Sequence, residues 1–413
     1  MQRDHMEHAN FVRDIMKVRP FLINSNLCTC AKDVSTCDSL MRTIAGNVGN
    51  SYISYALIKE CCGKYIDIPQ IKSLYTYDFD SPDKDLACIN DECTHVFLVL
   101  QDQIRIHESY GLKLPYKKII RFLRRVKIPI VIAGLGANSL CGYDVSFHKK
   151  LSRELIEFLS ELSQLTNVIG VRGDFTRDVL NKLGIRNVET IGCPSYYEMG
   201  AKRVVLKRGY ESVACSSGVS GVIMDRSQIY LQDETRIVQS IAYGSENFIE
   251  PNEMKYICER KYRFFSDIQG WKQSVSGHSF FVGCRVHGAI LALNSGVPAV
   301  VMNGDSRARE MCEYLNIPYF PELRNEKSIQ KIYEMCDYEK MNREYDEKYK
   351  AFWSFMRRNG VFEQEIACNG SDKQESMQPN LSCYENVRCR PYRTPFIVRR
   401  VLQRLGLGCI MGV

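Results

Sequence analysis

A chain of 413 residues with 45% hydrophobic and 25% charged residues has an ordinary globular composition and exceeds the size one core usually serves, so two domains are expected. The formal charge of +7 is concentrated at one end: six arginines (388, 390, 393, 399, 400, 404) and no acid follow Asn386, which leaves about +1 elsewhere and excludes a general nucleic-acid binder. No apolar run approaches the ~18 residues that span a bilayer, and the charged opening lacks the apolar stretch of a secretory signal, so a cytoplasmic protein is expected.

Residues 1–40 show no clear pattern and are expected to form an N-terminal extension. The 18 cysteines are scattered; Cys28, Cys30 and Cys37, with the adjacent Cys61 and Cys62, do not make the paired Cys-x-x-Cys units of a zinc site, so reduced thiols and no metal are expected. From residue 41 short apolar runs alternate with helical spacing, the pattern of parallel sheets with crossover helices. Asn47-Val48-Gly49-Asn50 precedes a helical stretch, either presenting backbone amides to a ligand or simply capping the helix. Strands are predicted at 95–100, 129–133, 168–171 and 188–191, and helices at 116–126, 147–163 and 175–183, a first Rossmann-like domain over 41–200.

A second Rossmann-like domain is expected over 201–322, with strands at 212–215, 221–224, 280–284, 298–302 and 317–320 and helices at 227–242, from 286, and at 306–315. The charged helical segment 323–360 is expected to pack back across both domains, 361–385 reads as a polar linker, and 386–413 as a basic amphipathic tail suited to an anionic membrane surface or to docking on the body. The fold class is therefore α/β, two Rossmann-like domains facing a cleft, with ligands expected beyond the carboxyl ends of the strands.

Candidate site residues follow strands. Arg285 and His287 stand at a strand-to-helix junction, where backbone N–H groups and the helix dipole favour an anion; Arg offers a bidentate fork and His a proton near neutral pH. Arg172, after the strand at 168–171, repeats the logic from the other domain, so two arginines can clamp one small dianion. Gly136 and Asn138 lie in a loop with a lone Gly-x-Gly, too little for a dinucleotide fingerprint, and no Walker motif is present. Each cation also has a plain structural reading: Arg285 paired with a carboxylate, His287 a satisfied buried histidine, and Asp174 at a helix start paired with Arg172 or Arg177. Asp305, Arg307, Arg309 and Glu310 fit either an acceptor site or a salt-bridged helix start.

Taken in order, NVGNSYISYA (47–56), LQDQIR (100–105), GLGAN (134–138), GVRGDFT (170–176), IGCPSYY (191–197), Trp271, VGCRVHGAILALNSGVPAV (282–300) and DSRAREMCEYLNIP (305–318) resemble the polysaccharide pyruvyl transferase family. The resemblance implies an architecture similar to two-domain, GT-B type glycosyltransferases. It also implies transfer of the enolpyruvyl unit of phosphoenolpyruvate, a co-substrate and not a bound cofactor, onto a sugar of a surface polysaccharide or its lipid-linked precursor. The product is a pyruvate ketal, and phosphate is released. Arg285, His287 and Arg172 would hold phosphoenolpyruvate, with His287 as acid or base. The competing readings are a nucleotide-sugar glycosyltransferase of the same architecture and a non-catalytic ligand-binding member of a polysaccharide assembly complex. Acceptor identity and oligomeric state are not legible in the sequence.

Overall fold

The structure, a computed structural model, describes residues 18–25, 46–63, 68–106, 114–139, 142–234, 237, 251–265, 267–302 and 304–363. The segments expected as a linker and a basic tail lie almost wholly outside these residues, as do Cys28, Cys30 and Cys37.

Two parallel sheets organise the chain. The first has six strands in the order β2-β1-β3-β5-β7-β8, built from β1 (Pro20–Ile23), β2 (Gln70–Ile71), β3 (His95–Leu98), β5 (Ile130–Leu135), β7 (Ile169–Val171) and β8 (Val188–Thr190). A two-residue pairing of β4 (Ile104–Arg105) with β6 (Ala137–Asn138) sits beside it. The second sheet runs β11-β10-β9-β12-β13, from β9 (Val213–Ser216), β10 (Ser227–Tyr230), β11 (Tyr262–Arg263), β12 (Phe280–Gly283) and β13 (Ala299–Val301). In each sheet the order reverses once, between β1 and β3 and between β9 and β12. Such switch points open a crevice at the carboxyl ends of the strands.

The strands read as near-continuous apolar runs because helices cover both faces of a parallel sheet. Helix α1 (Val48–Cys62) is buried over eleven of its fifteen residues, so its sequence carries almost no amphipathic stripe. It packs between the first sheet and the turn Pro194–Tyr197, and its Tyr52 ring meets Trp271 of the second half edge-on at 6.4 Å. Along the first sheet follow α2 (Asp83–Glu92), α3 (Tyr116–Leu123), α4 (Arg153–Gln164) and α5 (Asp174–Lys182). The second half adds α6 (Gly221–Asp225), α7 (Pro251–Cys258), α8 (Ile268–Ser276), α9 (Val286–Asn294) and α10 (Ser306–Leu315). Then α11 (Ile329–Met335) and the long α12 (Glu339–Arg358) carry the chain back. Asn359 binds Val168 and Thr166, and His95 Nε2 lies 3.0 Å from the Gly360 carbonyl, so the return segment does cross to the first sheet.

Four sequence expectations are corrected. Residues 221–224, expected as a strand, form α6, and 227–230, expected to start a helix, form β10: Ile229 and Tyr230 are buried in the sheet, and the apolar period there is too short to separate strand from helix. The helix expected at 147–163 breaks at Leu151, with a 3-10 turn at Phe147–Lys150 before it, because Ser152 takes extended geometry and caps the Leu155 N–H at 3.3 Å. Within the expected N-terminal extension, Pro20–Ile23 forms β1, paired on both sides and buried throughout.

Candidate active site

The carboxyl ends of β5, β7, β10, β12 and β13 converge with the start of α1. Beyond β7 stands Arg172, 3% exposed, whose Nε and Nη2 have no hydrogen-bond partner. A buried, unsatisfied guanidinium is costly, and the usual resolution is an acceptor supplied from outside. Gly136 lets this side chain approach: a Cβ there would lie 3.0 Å from Arg172 Cδ and 3.5 Å from Glu310 Oε1. Glu310, on the first turns of α10, is 1% exposed and is bonded by the Thr176 N–H at 2.9 Å and the Thr176 hydroxyl at 2.8 Å. Burial pushes its carboxyl up to about 8 against the pull of Thr176 and Arg172, so it is largely protonated at neutral pH.

His287 lies in the first turn of α9. Its Nε2 is 3.5 Å from Cys193 Sγ, and its Nδ1 faces Gly49, where a Cβ would come within 2.7 Å. A residue larger than glycine cannot stand there without moving the imidazole. Desolvation, then the charges of Arg172 and Arg307, lower the His287 pKa to about 3 against the opposing charge of Asp102, so the ring is neutral at pH 7. Both arginines are therefore near enough for their charges to act on the same imidazole. Arg307 donates to Asp102 and Asp305 at 2.7 Å each, and its buried Nε is unpartnered. Burial pushes the Asp102 carboxyl up, but Arg307, Arg105 and Arg172 outweigh it and hold the group below its usual range.

Arg285 is differently placed. Its fork is taken by Asp233, with Nη2 to Oδ1 at 2.5 Å and Nη1 to Oδ2 at 3.0 Å, and Glu234 approaches Nη2 at 3.5 Å. Asn47 joins the pair: its Nδ2 donates to Asp233 Oδ2 at 3.1 Å while its Oδ1 accepts the Gly49 N–H at 2.7 Å, capping α1. Asp233 is raised by burial and by Glu234, with Arg285 opposing. Beside it Gln232, 1% exposed, holds an unpartnered amide nitrogen 2.8 Å from where a Gly288 Cβ would stand.

Most of the residues singled out in sequence thus meet in one place: Asn47, Gly49, Gly136, Arg172, Arg285, His287, Asp305, Arg307 and Glu310. Asp305 also caps α10, accepting from the Ala308 N–H at 2.8 Å, so the site reading and the salt-bridged helix start hold together. Three residues are more peripheral. Asn50 acts through its backbone, its carbonyl accepting from Ser25 at 3.1 Å; Asn138 lies on β6 in register with Arg105; Arg309 pairs outward with Glu313 at 2.7 Å. Sequence reasoning missed Asp102, Cys193, Gln232, Asp233 and Glu234. Asp102 and Cys193 were inside quoted motifs, whereas 232–234 were hidden by reading β10 as a helix. Among the described residues no cluster of His, Cys, Asp and Glu has the makings of a metal site.

The family model for polysaccharide pyruvyl transferases matches residues 47–306, well over half of the chain. The chain belongs to the polysaccharide pyruvyl transferase family. The match begins at the Asn47 cap and runs through every member of the cleft cluster up to Asp305. No functionally curated protein matches the sequence. Similar solved structures include a functionally uncharacterised protein of Klebsiella pneumoniae (12% identity, 75% of this chain, 93% of that one, TM-score 0.38). Anabaena HepE bound to UDP and glucose (10%, 83% and 95%, TM-score 0.36) and the UDP-N-acetylglucosamine 2-epimerase of Rickettsia bellii (13%, 83% and 96%, TM-score 0.37) are comparable. Likeness at this level carries no functional argument, and the parallel α/β fold of this pyruvyl transferase family member rests on its own strand order. No described helix is long and apolar enough to cross a membrane.

Proposed function

We propose that this transferase moves the enolpyruvyl unit of phosphoenolpyruvate onto two hydroxyls of a sugar in a surface polysaccharide or its lipid-linked precursor, forming a cyclic pyruvate ketal and releasing phosphate. The observation that carries the reading is the buried guanidinium of Arg172, whose Nε and Nη2 are unpartnered and whose charge, with that of Arg307, acts on His287. A small dianion satisfies Arg172 Nε and Nη2 and Arg307 Nε at once. Arg285, already held by Asp233, joins only if the ligand competes with that carboxylate, so Arg172 is the principal anion ligand and Arg285 an adjustable one.

The reaction gives each group a task. The methylene carbon gains a proton, one sugar hydroxyl adds to the neighbouring carbon, and the second hydroxyl displaces phosphate there, its proton leaving with the products. Neutral His287 is set up to accept a proton; a bound dianion offsets the arginine charges and brings its pKa back toward neutrality, where it exchanges protons with substrate or with the departing phosphate. The basic segment after Asn386, outside the described residues, favours an acceptor at an anionic surface.

The test is incubation with phosphoenolpyruvate and a panel of simple and lipid-linked hexosides, reading phosphate release and a mass gain of pyruvate less water. Arg172→Lys should weaken phosphoenolpyruvate binding at least about tenfold, and His287→Ala should lower turnover by about a hundredfold or more. Near-normal turnover in both would overturn the assignment, and turnover with nucleotide sugars in its place would favour a glycosyltransferase.

A further inference from the structure

The two ring nitrogens of His287 have different surroundings. Nε2 lies 3.5 Å from the Cys193 thiol, and that sulfur lies 3.0 Å from the Ser195 hydroxyl; Cys193 and Ser195 are both fully buried. Nδ1 has no hydrogen-bond partner among the described residues, and the glycine at 49 leaves its side uncovered, since a Cβ there would come within 2.7 Å.

The contact joins separate parts of the fold. Cys193 follows β8 and precedes the turn Pro194–Tyr197, and its side chain caps nothing there, so the thiol is left to meet the first turn of α9. The same turn is fastened to the far end of α9, where Asn294 Nδ2 donates to the Ser195 carbonyl at 2.7 Å. Helix and turn are thus held at both ends, which keeps the thiol in place against the imidazole.

The direction of the hydrogen bonds follows from what each buried group needs. The Ser195 hydroxyl hydrogen has Sγ as its acceptor, and a sulfur that accepts from Ser195 turns its own S–H toward Nε2. The reverse chain, Nε2–H to sulfur and S–H to Ser195, leaves the hydroxyl hydrogen buried with no acceptor among the described residues, which is costly. The first chain makes Nε2 an acceptor and puts the hydrogen of the neutral ring on Nδ1.

We propose that Cys193 is a positioning residue for His287: its thiol holds the ring as the Nδ1–H tautomer and refills Nε2 when Nδ1 gives its proton away. The proposal rests on the pyruvyl transfer reading for where that proton goes, but the tautomer itself does not. In that reaction the Nδ1–H bond breaks as a C–H bond forms at the methylene carbon, and the thiol proton passes to Nε2, leaving a thiolate beside a neutral ring. When the first sugar hydroxyl adds, its proton goes to Nδ1 and the Nε2 proton returns to sulfur, restoring the starting tautomer. Burial and the charges of Arg172 and Arg307 oppose an imidazolium but not this route, because the ring is neutral at both ends of it.

The experiment has two arms, both on the full chain. The first labels histidine with the heavy nitrogen isotope and reads the His287 ring by NMR without any substrate, its signals identified as those that His287→Asn removes. A protonated Nδ1 and a bare Nε2 are expected; Cys193→Ala should lose the preference, and Cys193→Ser, whose hydroxyl donates as the thiol does, should keep it. A parent ring protonated at Nε2, or a tautomer unchanged in Cys193→Ala, overturns the proposal. The second arm measures turnover with phosphoenolpyruvate and hexosides. Cys193→Ala should lower kcat about tenfold or more with the KM for phosphoenolpyruvate within about twofold, and Cys193→Ser should fall between it and the parent, since a hydroxyl gives up its proton less readily than a thiol. Alanine and serine leave nearly the same void, so equal losses in the two variants would report packing alone and overturn the refilling role, as would an unchanged kcat in Cys193→Ala. A parent that shows the expected tautomer yet turns over no phosphoenolpyruvate with any acceptor overturns the pyruvyl reading and leaves the tautomer assignment standing.

Discussion

Two buried groups in the cleft carry opposite pH signatures. His287, with a pKa lowered from 6.5 to about 3, contributes stability that is fully present above 6.5 and is lost as pH falls toward 3, because the unfolded state binds the extra proton. Glu310, raised from 4.5 to about 8, does the reverse: its contribution is fully present below 4.5 and is lost as pH rises through 8. Between 4.5 and 6.5 the two slopes oppose each other, so the urea midpoint should be flattest there, falling below on account of His287 and above on account of Glu310. Glu310→Gln should remove the alkaline decline and His287→Asn the acidic one; unchanged profiles in both variants would show that these groups do not titrate as their burial demands. Arg172 and His287 were legible as site candidates from their place after apolar runs. That Arg172 is free while Arg285 is engaged was not, because Asp233 is 52 positions away in sequence.

At the scale of elements, the cleft depends on how closely α10 approaches the start of α5. Gly173, with extended backbone at φ −167°, has no conformational need to be glycine, yet a Cβ there would lie 2.5 Å from Glu310 Cβ and 2.8 Å from its Cγ. Gly173→Ala should therefore act by overpacking, costing about 1–3 kcal/mol in urea unfolding and displacing Glu310 from Thr176. An alanine variant as stable as the parent would mean that α10 yields freely. The strong apolar runs of β3, β5, β7, β12 and β13 announced themselves, whereas the two-residue β2 and β11 fall below any useful period. The segment 221–230 carried its helix and strand in the reverse of the expected order, since so short an apolar stretch fits both periods and only pairing with β9 chose between them.

Across the whole molecule the two sheets are tied by charge as well as by apolar contact. Glu198, fully buried in the connection between them, accepts from Lys59 of α1 at 2.5 Å, Lys272 of α8 at 2.5 Å and the Tyr52 hydroxyl at 3.2 Å. Removing one partner of such a group leaves buried charge uncompensated, so Glu198→Ala should cost about 3 kcal/mol or more and lower the unfolding midpoint as one transition if the halves are coupled. A split transition would show instead that each half unfolds alone. The sequence by itself determined the α/β class, the strand ends that bear the candidate site residues, the concentration of positive charge after Asn386 and, through ordered motifs, the family, because these follow from local periodicity and from residue types at fixed spacing. Only the tertiary structure decided which cation is left unpartnered and that burial raises the Glu310 carboxyl. Those properties depend on burial and on partners brought together from distant parts of the chain, which no local pattern records.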